Sequence, residues 1–507
     1  MRTHALHRLA AVASLAGALL VGACGDFNVT NPNQPTLDDL VSNPTRTKLS
    51  AAATGLFIGV RTDITGVIWR LGSMGREGVN LSGNNQPDYI EPYFGPLSGT
   101  GFGGTLWANF YREVRSANIY LTAAPKAAQV PGTEGLSAGE VSASLGFGKT
   151  MKALALMYVI AGHGSLGAPV DVDHPITDPP APFVSEDSVY GYIIATLNEA
   201  QSDLQTAGST AFPFPTPPGY SGFDTPATFL AFNRALAAKA YVFRATAASS
   251  TCGTTCYTNA LAALVLAGPG FGGIGTAGQL ATGVYFDFSA NAGDTQNDLS
   301  DALNAPIYFA VPILQTQAQT QSGGALDQRV VNKVVAATAN PPQQLNAIPI
   351  LGTLKFTNYL TGGNPDPAAP IPVIKNEELV LLRAEAEIGL NGPGDANALA
   401  DINTVRSLSG NLAPLGSLGS QDQAITELLY NRRYSLLWEQ GATWVDARRY
   451  GRIITAANGK HQILGIGELP GFGTGSFAPS DVPLRLLAPD DECRARGLES
   501  GCNPLGT

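Results

Sequence analysis

Apolar residues recur three and four positions apart near the C-terminus, and this spacing constrains the fold more than any other feature of the chain. In a helix over Gln421 to Arg452 they share one stripe, which consists of Ile425, Leu428, Leu429, Leu436 and Leu437. Arg432 lies on the same stripe, four positions from both Leu428 and Leu436. A buried guanidinium needs a partner, because removing one member of a buried ion pair costs about 3 to 5 kcal/mol. We therefore expect Arg432 to pair with Asp446 or Glu385.

Segments with this helical periodicity fill much of the chain, so the sequence predicts a mainly α protein. The alanine-rich segment AFNRALAAKAYVFRA would let neighbouring helices approach closely. Pro- and Gly-rich stretches at residues 212–223 and 361–372 interrupt the predicted helices but do not form a linker between domains. We therefore expect one domain over residues 45–507. The other predicted helices are Thr45 to Val60, Leu106 to Ala124, Lys149 to Ala161, Glu186 to Leu204, Ala227 to Ala247, Tyr257 to Leu266 and Asn376 to Leu390.

Three C-terminal segments carry residues of a known family signature, in the order that the family has them. The matching residues are Leu382, Arg383, Ala384, Glu385 and Ala386, then Ile402, Asn403, Val405 and Arg406, then Arg432, Gly441, Trp444, Asp446 and Arg449. At these positions the chain resembles the SusD/RagB family of surface nutrient-binding lipoproteins. Asn431, Gln440 and Thr443 depart from the pattern, where Glu, Glu and Arg are usual, and they leave the apolar spacing intact.

The resemblance implies a fold as well as a function. The implied fold is a SusD-like single domain built on tetratricopeptide-like helical hairpins, with long irregular loops and a few short strands. No 34-residue repeat is visible, so the hairpin scaffold follows from the resemblance and not from periodicity. The resemblance further implies structural roles for Arg383, Glu385, Asn403, Arg406, Arg432, Gly441, Trp444, Asp446 and Arg449.

The function implied by the resemblance is binding without chemistry. Such a protein captures a nutrient, either an oligosaccharide or a peptide, and hands it to a SusC-like TonB-dependent transporter. It needs no cofactor and no catalytic residue. The alternative is a helical lipoprotein that serves as a scaffold for outer-membrane assembly without a small-molecule ligand, since helical hairpins suit that role equally well.

The N-terminus predicts export and lipid attachment. Arg2 and Arg8 precede an apolar run too short to span a bilayer, so residues 1–23 read as a signal peptide. The residues leading into Cys24 resemble a bacterial lipobox, in which that cysteine is acylated. Several acyl chains anchor a protein durably where one does not. We expect residues 24–44 to form a tether, and the protein to be anchored in the outer membrane and to face the cell surface.

Composition agrees with that location. The formal net charge of −10 argues against nucleic acid as a partner. Besides Cys24, the four cysteines form two close pairs that would become disulfides in an oxidising compartment: Cys252 with Cys256, and Cys493 with Cys502. A zinc site is a weaker interpretation, because a second ligand pair is not near either of them, and we expect no metal.

Motifs for catalysis are incomplete. Gly99, Gly101 and Gly104 fit a nucleotide-binding glycine pattern, but no strand precedes them and no helix follows directly, so we interpret them as a loop. The serine at position 165 lacks the leading glycine of a hydrolase nucleophile elbow. The sequence therefore predicts that the protein is not an enzyme.

Exposed aromatic side chains and amides are the expected ligand-binding groups. A glycine-rich region supplies a first set: Trp69, Arg76, Asn84, Asn85, Asp88, Tyr89, Tyr93, Phe94 and Phe102. Tyr285 and Asp287 form a second set. The alternative is that these aromatics pin loops onto the helices. Trp107 and Tyr111, at helical spacing, are expected in the core.

Overall fold

The computed structural model describes residues 37–81, 87–94, 96–175, 177–267, 271–291, 293–302, 307–337, 352–453 and 482–505. The predicted signal peptide and the lipidated Cys24 lie outside these residues. The end of the predicted tether is described, and it is not extended: Leu37–Ser42 is a helix whose Leu40 is buried against the core.

Helices make up most of the described chain, which confirms the mainly α class. They are α1 Leu37–Ser42, α2 Arg46–Arg61, α3 Ile64–Met74, α4 Pro87–Phe94, α5 Ala108–Ala123, α6 Ala138–His163, α7 Glu186–Ala207, α8 Pro226–Ala245, α9 Gly253–Ala267, α10 Ala277–Leu280, α11 Ile313–Thr316, α12 Gln328–Lys333, α13 Asn376–Asn391, α14 Ala396–Leu408, α15 Gln421–Ser435, α16 Ala442–Arg449 and α17 Asp490–Ala495.

Side-chain caps fix where several of these helices begin. Thr45, Ser137, Ser185 and Thr225 each accept a hydrogen bond from a backbone N–H in the first turn of the following helix. Such a cap satisfies one of the amides that the helix leaves without a partner. By length and hydropathy alone Arg46–Met74 would be long and apolar enough to cross a membrane, but half of its apolar window is buried inside the protein.

Successive helices pack against one another from α5 to α9, and α13 packs on α14. Small residues allow the close approach that the alanine-rich segment predicts. Ala235, Ala237 and Ala238 on α8 are fully buried. A Cβ atom placed on Gly146 of α6 would lie only 2.6 Å from Cγ of Leu204 on α7, so these two helices need a glycine there.

Short strands supply the β structure. An antiparallel four-stranded sheet has the order β1 (Gly78–Asn80), β5 (Tyr308–Ala310), β7 (Leu354–Phe356) and β6 (Val334–Ala336). Three two-stranded ribbons pair β4 (Gly283–Phe286) with β10 (Ile371–Lys375), β2 (Ala168–Pro169) with β3 (Phe183–Val184), and β8 (Leu360–Thr361) with β9 (Asn364–Pro365).

The single helix predicted over Gln421 to Arg452 is wrong, because the chain turns between α15 and α16. Trp438 and Gly441 both have left-handed backbone angles, with φ of 57° and 61°, which end an α-helix. The buried carboxylate of Glu77 holds this turn by accepting bonds from Trp438 N at 3.0 Å and from the Thr443 hydroxyl at 2.6 Å. The broken helix is thereby locked to the turn after α3.

A buried ion-pair chain joins α13, α15 and α16. Arg432 Nε donates to Asp446 at 2.7 Å, and Arg449 bridges Asp446 and Glu385. Burial opposes the charged guanidinium, yet the acidic partners raise the pKa of Arg432 above its ordinary value. Arg383 makes a two-pronged pair with Asp401 at 2.6 Å. The signature residues of the C-terminal segments therefore hold helices together.

The remaining signature side chains bond to backbone carbonyls. Asn403 donates to Leu415 O at 3.0 Å, Arg406 donates to Ala413 O at 3.0 Å, and Trp444 Nε1 donates to Pro483 O at 2.9 Å. Both cysteine pairs are disulfides, with Cα–Cα distances of 5.4 Å for Cys252–Cys256 and 5.8 Å for Cys493–Cys502.

Candidate functional site

An open groove of about 910 Å³ lies beside the start of α5 and α17. Its walls come from four separate parts of the chain: residues 99–104, the start of α5, residues 169–181 and residues 489–496. This volume lies within the range of about 300 to 1,000 Å³ that small-molecule sites occupy. We call this concavity the aromatic groove.

The half-buried ring of Tyr111 forms the floor of the aromatic groove, and buried aromatic rings pack behind it. Trp107 stacks on Phe183 with ring centroids 5.4 Å apart, and it lies 4.8 Å from Tyr111. Trp107 precedes α5 and Tyr111 follows one turn later, so both rings reach the same side of the helix. The Tyr111 hydroxyl donates to Pro169 O at 2.7 Å, which fixes its ring between α5 and β2.

The glycine-rich loop over residues 98–104 forms one wall. Glu91 holds it by accepting bonds from Ser98 N at 2.8 Å and Gly103 N at 3.1 Å. A Cβ atom on Gly99 would lie 2.1 Å from the carboxylate of Asp490, so a larger residue here would displace the Asp490 side chain. The loop whose sequence fits a nucleotide-binding glycine pattern thus packs against the C-terminal segment.

Helix α17 forms the wall next to this loop. Its Cys493 is fully buried and bound to Cys502, which ties the last described residues to the helix. Arg496 lies 4.7 Å from the Phe183 ring centroid and donates to Ala181 O at 2.7 Å. The disulfide and this cation–π contact together hold α17 against the groove floor.

The rim of the aromatic groove carries both signs of charge. Acidic groups are supplied by Asp178 and by the acidic first turn of α17, and basic groups by Arg115, Arg494 and Arg496. Burial and the nearby Glu492 carboxylate raise the pKa of Tyr111 well above its usual range, so its hydroxyl stays protonated. Flat rings under mixed donors and acceptors suit a hydroxyl-rich ligand.

The described residues contain no cluster of three or more His, Cys, Asp or Glu side chains that could hold a metal ion.

Four residues of the first predicted ligand set lie in the core, and the prediction that they are exposed is wrong. Trp69, Arg76, Tyr93 and Phe102 are 6%, 2%, 3% and 1% exposed. The Tyr93 hydroxyl donates to Gly78 O at 3.0 Å, and the Arg76 guanidinium lies 4.4 Å from the Tyr93 ring centroid. These groups fasten α4 to the sheet, as the loop-pinning alternative describes.

The rest of that set is divided. Asp88 is 9% exposed and accepts a bond from Asn80 Nδ2 at 3.1 Å. Tyr89 is half-buried on α4. Asn84 and Asn85 lie outside the described residues, and the side chain of Phe94 is not described. The first set therefore does not form one binding face.

Tyr285 and Asp287, the second predicted set, lie together at a different concavity. Both are half-buried on and just after β4. Asp287 accepts a bond from Gly219 N, and the Tyr285 hydroxyl donates to Ala281 O. They share no lining position with the aromatic groove.

Sequence reasoning missed the groove itself. Trp107 and Tyr111 were expected in the core, which is confirmed for Trp107 at 6% exposed, while Tyr111 is half-buried on the core and also lines the groove. A spacing of four looks the same whether a ring meets the interior or a groove. The close pair Cys493 and Cys502 beside an acidic run was the available signal for a braced C-terminal wall. It did not reveal which surface the wall faces.

Comparison with known proteins bears on the fold. No family model matches the sequence, and no curated protein matches it. Solved structures do match. A SusD superfamily protein from Bacteroides vulgatus has a TM-score of 0.63 at 14% identity, over 90% of this chain and 99% of that one. One from Parabacteroides distasonis has a TM-score of 0.62 at 15% identity, over 88% and 98%.

A laminarin-binding SusD-like protein also matches, with a TM-score of 0.57 at 16% identity over 90% of this chain and 98% of that one. The chain therefore has the SusD-like fold, as its C-terminal signature predicts. At these identities the likeness establishes the architecture alone.

Proposed function

We propose that this protein is a glycan-binding lipoprotein of the outer membrane, and that the aromatic groove holds the glycan. The observation that carries the proposal is the half-buried ring of Tyr111, which lines the groove with the buried Trp107 packed against it, under a rim of mixed charge. Sugar rings present apolar C–H faces that stack on aromatic surfaces, while their hydroxyls bond to charged and polar side chains.

Two structural neighbours support a glycan over a peptide. One is described as laminarin-binding, and another was solved with a xylogluco-oligosaccharide. The second has a TM-score of 0.57 at 15% identity, over 79% of this chain and 83% of that one. For this chain the ligand class remains our proposal. We likewise propose that the protein binds the glycan without making or breaking covalent bonds in it.

The membrane role is part of the proposal. Acylation of Cys24 would anchor the chain at the cell surface, and the glycan would pass from the groove to a SusC-like TonB-dependent transporter. The lipobox-like sequence before Cys24 supports the anchor. A scaffold for outer-membrane assembly would need the same anchor but no glycan, so glycan binding separates the two functions.

The experiment uses the soluble chain beginning after Cys24, titrated by calorimetry with laminarin and xyloglucan oligosaccharides. We expect saturable binding of at least one glycan, weakened about tenfold or more by Tyr111→Ala, since losing one stacked ring costs on the order of 1.4 kcal/mol. Arg112→Ala is the matched control, because Arg112 is exposed on the same helix outside the groove.

Two results would contradict the proposal. One is equal affinity for the parent chain and Tyr111→Ala. The other is no saturable glycan binding, together with recovery of the lipidated protein on an outer-membrane assembly complex instead of a TonB-dependent transporter.

A further inference from the structure

The aromatic groove lies at one end of three consecutive helices, α5, α6 and α7, which pack side by side. The ring of Trp107, just before α5, lies 4.8 Å from the ring of His163, the last residue of α6, between centroids. Trp107 also stacks on Phe183, which precedes α7. The start of α5, the end of α6 and the start of α7 therefore meet beside the groove. We call this region the groove end of the protein.

The N-terminal part of the chain joins these helices at their other end. Helix α1 packs on α5, and Lys126, just past the end of α5, donates to Val41 O of α1 at 3.1 Å. Helix α2 begins at Arg46, whose guanidinium bonds to Glu140 in the first turn of α6 at 2.6 Å. We call this region the anchor end, because the residues that precede α1 lead back to Cys24.

The two ends are far apart compared with the reach of the residues before α1. Glu140 and His163 mark the two ends on the same helix, α6, and they are about 35 Å apart at about 1.5 Å of rise per residue. From Cys24 to Leu37 the chain can span at most about 47 Å, at about 3.6 Å per residue. Turning the groove end onto a membrane would lift the anchor end by about 35 Å. A chain stretched over most of its full length keeps few conformations, so this orientation is entropically costly.

We infer that the anchor end is the surface that meets the lipid, and that the aromatic groove opens on the far side, about 35 Å further from the membrane. The orientation rests on the acylation of Cys24 proposed above, because a lipid on that residue places the membrane next to α1. It is independent of what the groove binds. A ligand then enters the groove from the surrounding medium, and a transporter in the same membrane has to reach past the anchor end to receive it.

The test is energy transfer from the lipidated full-length chain to phosphatidylcholine vesicles that contain an acceptor-labelled lipid. The donor dye is attached through p-azidophenylalanine, placed either at Ala128 or at Thr177, and both positions are exposed. Ala128 follows Lys126 at the anchor end, and Thr177 precedes Asp178, which lines the groove. We expect the transfer efficiency to be at least about twofold higher from position 128, because the label at position 177 is about 35 Å further from the lipid.

Two further variants of each labelled chain identify the cause of the orientation. Cys24→Ser removes the residue that carries the lipid, so vesicle binding and transfer from both labels should be lost together. Inserting about twenty Gly and Ser residues before Leu37 should give a linker with a root-mean-square length of about 30 Å, similar to the length of the helices. The domain can then turn over, and transfer from the two labels should become nearly equal.

Three results would overturn the inference, and they have different meanings. Equal transfer from both labels, or higher transfer from position 177, in chains that bind vesicles through Cys24 would refute the orientation and leave the lipid anchor intact. Failure of the chain with Cys24 to bind vesicles would refute the anchor and the orientation together. An unchanged ratio after the Gly and Ser insertion would show that the length of chain before Leu37 does not set the orientation.

Discussion

Glu113 on α5 is a buried carboxyl group without a cationic partner among the described residues. It is 3% exposed, its Oε1 makes no hydrogen bond, and Gly59 on α2 packs directly against its carboxylate. Burial raises its pKa to about 8. A folded-state pKa above the unfolded value means that stability is intact below about pH 4.5 and is lost as the pH rises through about 8.

Replacing this carboxyl group by an amide should remove the pH dependence. Glu113→Gln should match the parent near pH 4.5 and exceed its free energy of unfolding by roughly 3 kcal/mol at pH 7, at about 1.36 kcal/mol for each unit of pKa shift. Urea unfolding at pH 4.5, 7 and 8.5 measures it. Glu499→Gln makes the same change on the exposed surface and serves as control. Parallel stability profiles for Glu113→Gln and the parent would refute the assignment.

Tyr93 also has a structural role at the residue scale, where the sequence suggested a ligand contact. Tyr93→Ala should lower the free energy of unfolding by about 3 to 5 kcal/mol, because it empties a buried ring site. Tyr93→Phe should cost about 1 kcal/mol, for the lost bond to Gly78 O. Denaturant unfolding measures both, and a marginal effect of Tyr93→Ala on stability would contradict its place in the core.

At the scale of elements, the turn between α15 and α16 depends on Gly441. Gly441→Ala would combine a left-handed backbone angle with a Cβ atom 2.4 Å from Leu71 Cβ. We expect a loss of about 3 kcal/mol or more in unfolding free energy. Gly451 has a similar φ of 63° but open space around it, so Gly451→Ala should lose only about 1 to 2 kcal/mol. Equal losses would show that the close contact with Leu71 is unimportant.

The Cys493–Cys502 disulfide braces one wall of the aromatic groove. Replacing both cysteines by serine should weaken glycan binding several-fold, because α17 would no longer be held in its binding position before the ligand arrives. The paired change of Cys252 and Cys256 to serine is the control, since that disulfide lies at the start of α9 and does not line the groove. Calorimetric titration of both variants measures the effect, and unaltered affinity in the first would exclude the bracing role.

Individual helices were predictable because their signals are local. Glu186 to Leu204 was expected and Glu186–Ala207 is observed, with Ser185 as its cap. The break after α15 was not predictable, because the left-handed angle of Trp438 is stabilised by Glu77, more than three hundred positions earlier in the chain. A local pattern carries no record of such a contact.

At the scale of the whole molecule, the difference between local signals and long-range contacts explains why the fold class was predictable and the site was not. The fold class follows from helical periodicity and from the C-terminal signature, whose residues are close in sequence. The aromatic groove is assembled from Gly99, Trp107, Pro169 and Asp490, which meet only after the helices have packed. Aromatic residues in a glycine-rich region led us to predict Trp69 and Tyr93 as ligand-binding residues, although packing buries both.

We propose that the aromatic groove is where this protein, which has the SusD-like fold, holds a glycan. The most direct measurement is a crystal structure of the soluble chain with the tightest-binding oligosaccharide found by titration. We predict a sugar ring against Tyr111, with hydroxyls bonded to side chains of the rim. Oligosaccharide bound elsewhere on the protein, with the aromatic groove empty, would contradict it.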